Sequence, residues 1–79
     1  MRVDKFLKVS RIIKRRTVAD EACTAGRVAI NGKVVKSGAA VKVGDILEVR
    51  LGANILKCEI VDVSETASKS NAALMYKVL

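Results

Sequence analysis

An α+β fold is what this sequence predicts: two N-terminal helices packed on a small, mostly antiparallel sheet. Apolar residues recur at helical spacing through the first third of the chain, at Val3, Phe6 and Leu7 and then at Ala19, Ala22 and Ala25. From Arg27 onward the period changes to two, around an Asn31-Gly32 pair that is a strong short hairpin signal. The chain is 79 residues long and 51% hydrophobic, which suits one small domain with a thin core. That domain is expected over 1–79, with its core motif in 1–50 and further strands in 51–79.

The first helix is expected to end at about Val9 and break near Ser10. Asp4 lies in its first turn, where the helix dipole favours an acid. Arg2, Lys5 and Lys8 then fan over one side, while Phe6 and Leu7 face inward. Ile12 and Ile13 anchor the following segment, with a basic triplet behind them. Thr17 reads as the N-cap of the second helix, because Thr17-x-x-Asp20 approximates a capping box; its loss in Thr17→Ala would cost about 1 kcal/mol. Asp20 is likewise assigned to a helix start. The second helix stops at Gly26, a suitable C-terminal cap, and its small residues imply close packing on the first.

Val28 and Ile30 open the sheet, Asn31-Gly32 turns it, and Lys33-Val34-Val35 returns as a second strand. Ser37 to Ala40 forms a loop, and Val41 to Val43 leads into a Gly44-Asp45 turn. A third strand is expected over Ile46 to Leu51, with Leu47, Val49 and Leu51 on one face. Gly52-Ala53-Asn54 turns the chain into a fourth strand from Leu56 to Val63. Ser64 to Asn71 reads as a loop and Met75 to Leu79 as a closing strand.

The net charge of +7 is unevenly placed. Seven basic side chains (Arg2, Lys5, Lys8, Arg11, Lys14, Arg15 and Arg16) crowd the first sixteen residues against one acid, Asp4. The remaining 63 residues hold eight basic and seven acidic side chains, close to balance. Such a concentration repels itself and would weaken folding, so a polyanionic partner is its natural explanation. These seven residues are the expected RNA-binding set. Only Phe6 and Tyr76 are aromatic, and Phe6 belongs to the apolar stripe, so the chain lacks a platform for stacking single-stranded bases. Backbone and shape recognition of structured RNA is the expectation that remains.

Other classes of function fit poorly. Histidine is absent, and Ser10 and Thr17 have no base nearby in sequence, so no enzyme is expected. Cys23 and Cys58 lack metal-ligand spacing and read as half-buried free thiols; no metal or cofactor is expected. No stretch approaches the roughly 20 apolar residues of a membrane span, and no signal peptide is evident, which places the expected protein in the cytoplasm. Peripheral attachment to an anionic membrane surface is the alternative of another class, but its apolar stripe would be short and is needed for the core. A protein-interaction adaptor without RNA would leave the N-terminal charge unexplained.

Three motifs also carry a family resemblance. Arg2-Val3-Asp4-Lys5-Phe6-Leu7 opens the chain, and Arg16-x-x-Ala19-x-x-Ala22-Cys23-x-x-Gly26-x-Val28-x-Ile30-Asn31-Gly32 follows. Val41-x-x-Gly44-Asp45-Ile46 comes last. Together, over about the first 50 residues, they resemble the RNA-binding domain first named for small-subunit ribosomal protein four, the alpha-L motif. That resemblance implies an L-shaped surface of two helices and a hairpin that grips structured RNA. Cys23 departs from the larger aliphatic residue usual there and leaves a smaller core contact.

Among proteins with this domain, pseudouridine synthases and tyrosyl-tRNA synthetases add large catalytic domains for which this chain has no room. The fifteen-kilodalton heat-shock family, which acts on free large subunits carrying nascent chains, is similar but has a longer basic C-terminal extension. The Lys8-Val9-Ser10-Arg11-x-x-Lys14-Arg15-Arg16 stretch and the Asn71-Ala72-Ala73-x-Met75-Tyr76 ending look most like the ribosome-associated quality control factor P family of Gram-positive bacteria. The resemblance implies partners in large-subunit ribosomal RNA, peptidyl-tRNA and the ribosome-bound quality control protein H. It also implies a role in tailing stalled nascent chains. The protein is expected to be monomeric off the ribosome.

Arg2 and Arg16 are expected to be exposed and brought toward one surface. Charge reversal at either, in Arg2→Glu or Arg16→Glu, is therefore expected to spare the fold, and reversal at Lys57 or Lys69 to matter much less for binding.

Overall fold

The computed structural model describes residues 1–63 and 74–79. The loop expected over Ser64 to Asn71, the Asn71-Ala72-Ala73 part of the terminal motif, and Lys69 lie outside the described residues. Among those described, the order is α1 (Val3–Val9), α2 (Arg16–Thr24), β1 (Val28–Ile30), β2 (Lys33–Val34), β3 (Ile46–Leu51), β4 (Asn54–Ile60) and β5 (Tyr76–Val78). The strands form one sheet in the order β2-β1-β3-β4-β5, antiparallel throughout.

Helix α1 buries Val3, Phe6 and Leu7 completely, as their spacing requires. Its first turn has no side-chain cap. Loop carbonyls serve instead: the Val3 and Asp4 N–H groups donate to the carbonyls of Ala39 (2.7 Å) and Ser37 (3.4 Å). A bridge between Arg2 and Ala40 holds the same junction. At the far end the buried Ser10 hydroxyl donates to the Leu7 carbonyl at 3.3 Å, so this hydroxyl is spent on closing the helix.

Helix α2 begins two residues earlier than the Thr17 cap implies. Arg15 holds the extended N-cap backbone, and the Ala19 N–H donates to its carbonyl at 3.0 Å. Thr17 is thus the second helical residue and makes no capping bond, and Asp20 falls outside the first turn. The cap energy assigned to Thr17 is therefore not present. The helix end follows expectation in detail. Gly26 has φ 75°, its N–H donates to the Cys23 carbonyl (3.0 Å), and the Arg27 N–H donates to that of Ala22 (2.9 Å), a Schellman ending. Ala19, Ala22 and Cys23 form the buried stripe.

The β1–β2 turn carries positive φ at both Asn31 (52°) and Gly32 (82°), the type I′ pattern that suits strand twist. Because open space surrounds a Cβ built at Gly32, the cost of Gly32→Val is conformational: about 1–2 kcal/mol, read as a lower denaturation midpoint. An unchanged midpoint would disprove the turn's control of stability. Asn31 does more than turn. Its amide nitrogen donates to the buried Asp45 carboxylate (3.1 Å), and its carbonyl oxygen accepts from the Ile46 N–H (2.9 Å). Asp45 also accepts from the Lys42 N–H at 3.0 Å, so the hairpin tip is locked to the entry of β3.

Strand β4 starts at Asn54 and ends at Ile60, earlier at both ends than the expected Leu56 to Val63. Asn54 pairs with Leu51, leaving a two-residue Gly52-Ala53 loop with positive φ at Gly52. The tight hairpin draws Asn54 into the ladder, and Leu51, at the hairpin end, is 39% exposed despite its alternation with Leu47 and Val49. Val28, Ile30, Leu47, Val49, Cys58 and Ile60 bury one sheet face in a single core with α1, α2 and Met75.

Candidate RNA interface

Of the seven expected contact residues, Arg2, Lys8, Arg11, Lys14, Arg15 and Arg16 are exposed and Lys5 is half-buried. Two elements and their connection present them. Helix α1 carries Lys5 and Lys8, with Arg2 at its N-cap. The connection to α2 carries Arg11 and Lys14, held against the core by buried Ile13, whose N–H donates to the Leu7 carbonyl at 3.1 Å. Arg15 caps α2 and Arg16 opens it.

The two end arginines meet at Asp4. Arg2 approaches its carboxylate as a fork, Nε to Oδ1 at 3.3 Å and Nη2 to Oδ2 at 3.3 Å. Arg16 Nε lies 3.5 Å from Oδ2. Asp4 is almost fully buried, and its Oδ1 also accepts from the Lys5 N–H at 2.8 Å. The arginine side chains remain about half exposed, at 55% and 47%, so donors not turned to Asp4 are open to an incoming anion. A shallow depression lined by Arg2, Asp4, Arg16, Thr17 and Asp20 marks the junction. Sequence reasoning gave Asp4 only a helix-dipole role and missed that it joins the arginines. A lone acid in a densely basic segment was the available signal.

Arg11 adopts φ 63° just beyond α1, where glycine would be most comfortable. Its N–H donates to the Lys8 carbonyl at 3.1 Å, so this left-handed residue ends the helix. An arginine held there costs on the order of 1 kcal/mol. Backbone strain of this kind concentrates at functional positions.

The thiols offer no reactive group. Cys23 and Cys58 are free and buried, more deeply than the half-burial expected. Burial first, then the charges of Asp4 and Asp20, push the Cys23 thiol from 9.0 up to about 11. Burial also raises Cys58. Both are protonated at neutral pH and poor nucleophiles. A raised thiol supports the fold below its unfolded value, and Cys23 withdraws that support as pH climbs from about 9 toward 11. Among the described residues no cluster of three or more His, Cys, Asp or Glu side chains is placed to hold a metal ion.

Comparison with known proteins identifies a family and a shared fold. The S4 domain model matches residues 1–47. A Halalkalibacterium halodurans protein named RQC P-site tRNA stabilizing factor is 53% identical over 99% of this chain and 89% of its own length. The Bacillus subtilis protein of that name is 48% identical over 100% of this chain and 92% of its own. Among solved structures, Vibrio cholerae Heat Shock Protein 15, described as trimeric, superposes with a TM-score of 0.92 at 26% identity, covering 100% of this chain and 81% of that one. The solution structure of HP1423 superposes with a TM-score of 0.84 at 28% identity, covering 100% of this chain and 96% of that one.

Proposed function

Because the chain belongs to the S4-domain family, and within it to the RQC P-site tRNA stabilizing factors, we propose that it binds structured RNA of the large ribosomal subunit together with peptidyl-tRNA, and so supports tailing of stalled nascent chains. The observation that carries this reading is the convergence of Arg2 and Arg16 on buried Asp4, at the head of an exposed cationic run. A planar guanidinium oriented by one carboxylate still offers donors to a phosphate, and two side by side can follow a folded backbone. Arg2, Lys5, Lys8, Arg11, Lys14, Arg15 and Arg16 form the proposed contact set.

Three observations weigh on the alternatives. Val3, Phe6 and Leu7 are all fully buried, so α1 has no apolar face to lay into a membrane. Likewise, no helix among the described residues is long and apolar enough to cross one. The heat-shock factor shares the fold but only 26% of the aligned residues, against 53% for the first stabilizing factor, which favours the tRNA-stabilizing role. We read the protein as a binding factor rather than an enzyme, working in the cytoplasm where ribosomes are. Its proposed partners there include the tail-adding quality control protein H, and it is proposed to be monomeric when free.

The reading is tested by salt. Each phosphate neutralised removes about 0.7 to 0.9 log units of affinity per tenfold rise in salt, so three to seven contacts give a slope of roughly 2 to 6. A flat response, or tighter binding to unstructured strands than to a folded ribosomal RNA fragment, would refute phosphate tracking. Arg11 supplies a second check. Arg11→Gly should raise stability by about 1 kcal/mol by relieving its left-handed strain, while weakening RNA binding. A variant that is no more stable, or that binds RNA as well as the parent, would show that the strain serves no contact.

A further inference from the structure

The sheet face turned away from the helices carries a second charged feature that the RNA reading does not use. Val28 pairs with Val49, and the Arg50 N–H donates to the Arg27 carbonyl at 2.8 Å, which sets Arg27 directly opposite Arg50. Both lie on the outer face with Ala29 and Glu48, since their neighbours Val28 and Val49 point into the core. Like charges directly opposed across strands are destabilising. Neither guanidinium has an ion-pair partner among the described residues. Beside them runs a groove lined by Ala29, Val34, Glu48 and Ile55, and Ile55 is the cross-strand partner of Arg50. Val34 and Ile55 are 59% and 62% exposed.

We infer that this groove docks an acidic, aliphatic segment of a protein partner, with a partner carboxylate between Arg27 and Arg50 and its aliphatic neighbours on Val34 and Ile55. Charge complementarity selects the carboxylate, because a bound anion relieves the repulsion between two opposed arginines that have no ion-pair partner among the described residues. The rest of the lining selects protein over nucleic acid. Its aliphatic floor has no ring for a base, and the exposed Val34 and Ile55 side chains offer a phosphate backbone no donor but can pack a partner's aliphatic side chains. The groove lies across the sheet from α1 and α2, so the partner and the RNA can be held together.

The test is a titration of the isotope-labelled full chain, followed by amide chemical shifts. The probes are the capped pentapeptide Val-Asp-Leu-Glu-Val at millimolar concentration, its Val-Lys-Leu-Lys-Val counterpart and a short hairpin RNA. The acidic peptide alone should move the amides of Ala29, Val34, Arg50 and Ile55, and Arg27→Gln/Arg50→Gln should weaken it about tenfold. That variant should unfold no more easily than the parent at low salt and should keep its affinity for large subunits. No shift with the acidic peptide, equal shifts with the lysine peptide, or groove shifts with the hairpin RNA would overturn the inference. So would a loss of stability in the variant, which would make the arginines structural braces. Loss of subunit binding in the variant would assign the groove to RNA, whereas loss confined to variants at Lys14 and Arg15 bears only on the N-terminal surface.

Discussion

Glutamine at both Arg2 and Arg16 should lower affinity for the large ribosomal subunit about a hundredfold, or roughly 2.8 kcal/mol, measured by co-sedimentation over a protein titration. The expectation rests on their shared anchor: both guanidinium groups reach the Asp4 carboxylate and present their remaining donors from one point. Glutamine is preferred to the charge reversal suggested by the sequence. A glutamate at either position would face a carboxylate that is only 3% exposed, so reversal would strain the fold as well as the surface. Even with glutamine, Asp4 retains only the Lys5 N–H among its contacts described above, and some stability is lost. Lys14→Gln/Arg15→Gln separates the two effects, because neither residue touches Asp4 and both are exposed. That pair should lower affinity about tenfold with an unchanged unfolding midpoint. Parent-like binding by both double variants would remove the N-terminal surface from the RNA interface, whatever the fold does.

Phe6→Ala should cost about 3–5 kcal/mol and leave the chain largely unfolded at physiological temperature. Phe6 is the chain's only phenylalanine, is fully buried, and lies in the one core that α1, α2 and the sheet share. A domain of this length has about 4–12 kcal/mol in total, so a loss of that size takes a large share of it. Circular dichroism and a urea titration would show it, and a midpoint within error of the parent would mean that the core does not depend on α1. The same substitution should abolish RNA binding indirectly, since α1 positions Asp4 and through it both arginines.

Much of the fold was legible in the residues. The 3.6-residue spacing of Val3, Phe6 and Leu7 and the alternation of Leu47 and Val49 name the buried faces, because apolar area must leave water whatever the partner. Gly26 and Asn31-Gly32 mark turns whose positive φ few other residues accept. Boundaries were less legible. Thr17 has the right chemistry for a cap, yet the helix starts at Arg16, where the pairing with Asp4 and the packing of α2 on α1 prevail over a local bond worth about 1 kcal/mol. Strand β4 shifted because pairing with β3 through a two-residue loop, and not its own hydrophobic run, decides where it begins.

The sequence by itself determined the class of fold, the identity of most core residues and the crowding of seven cations into the first sixteen residues, since each follows from local periodicity or simple charge counting. The tertiary structure alone decided how those cations are arranged. Asp4 reads in sequence as an acid in a first helical turn, but only the packing of α2 beside α1 buries it and brings Arg16 to the carboxylate that Arg2 already holds. Asn31 and Asp45, fourteen residues apart, become partners only when β1 and β3 pair. The opposition of Arg27 and Arg50 arises from that same register. Each joins residues from different elements, and their distances are set by strand register and helix packing, which no local pattern encodes.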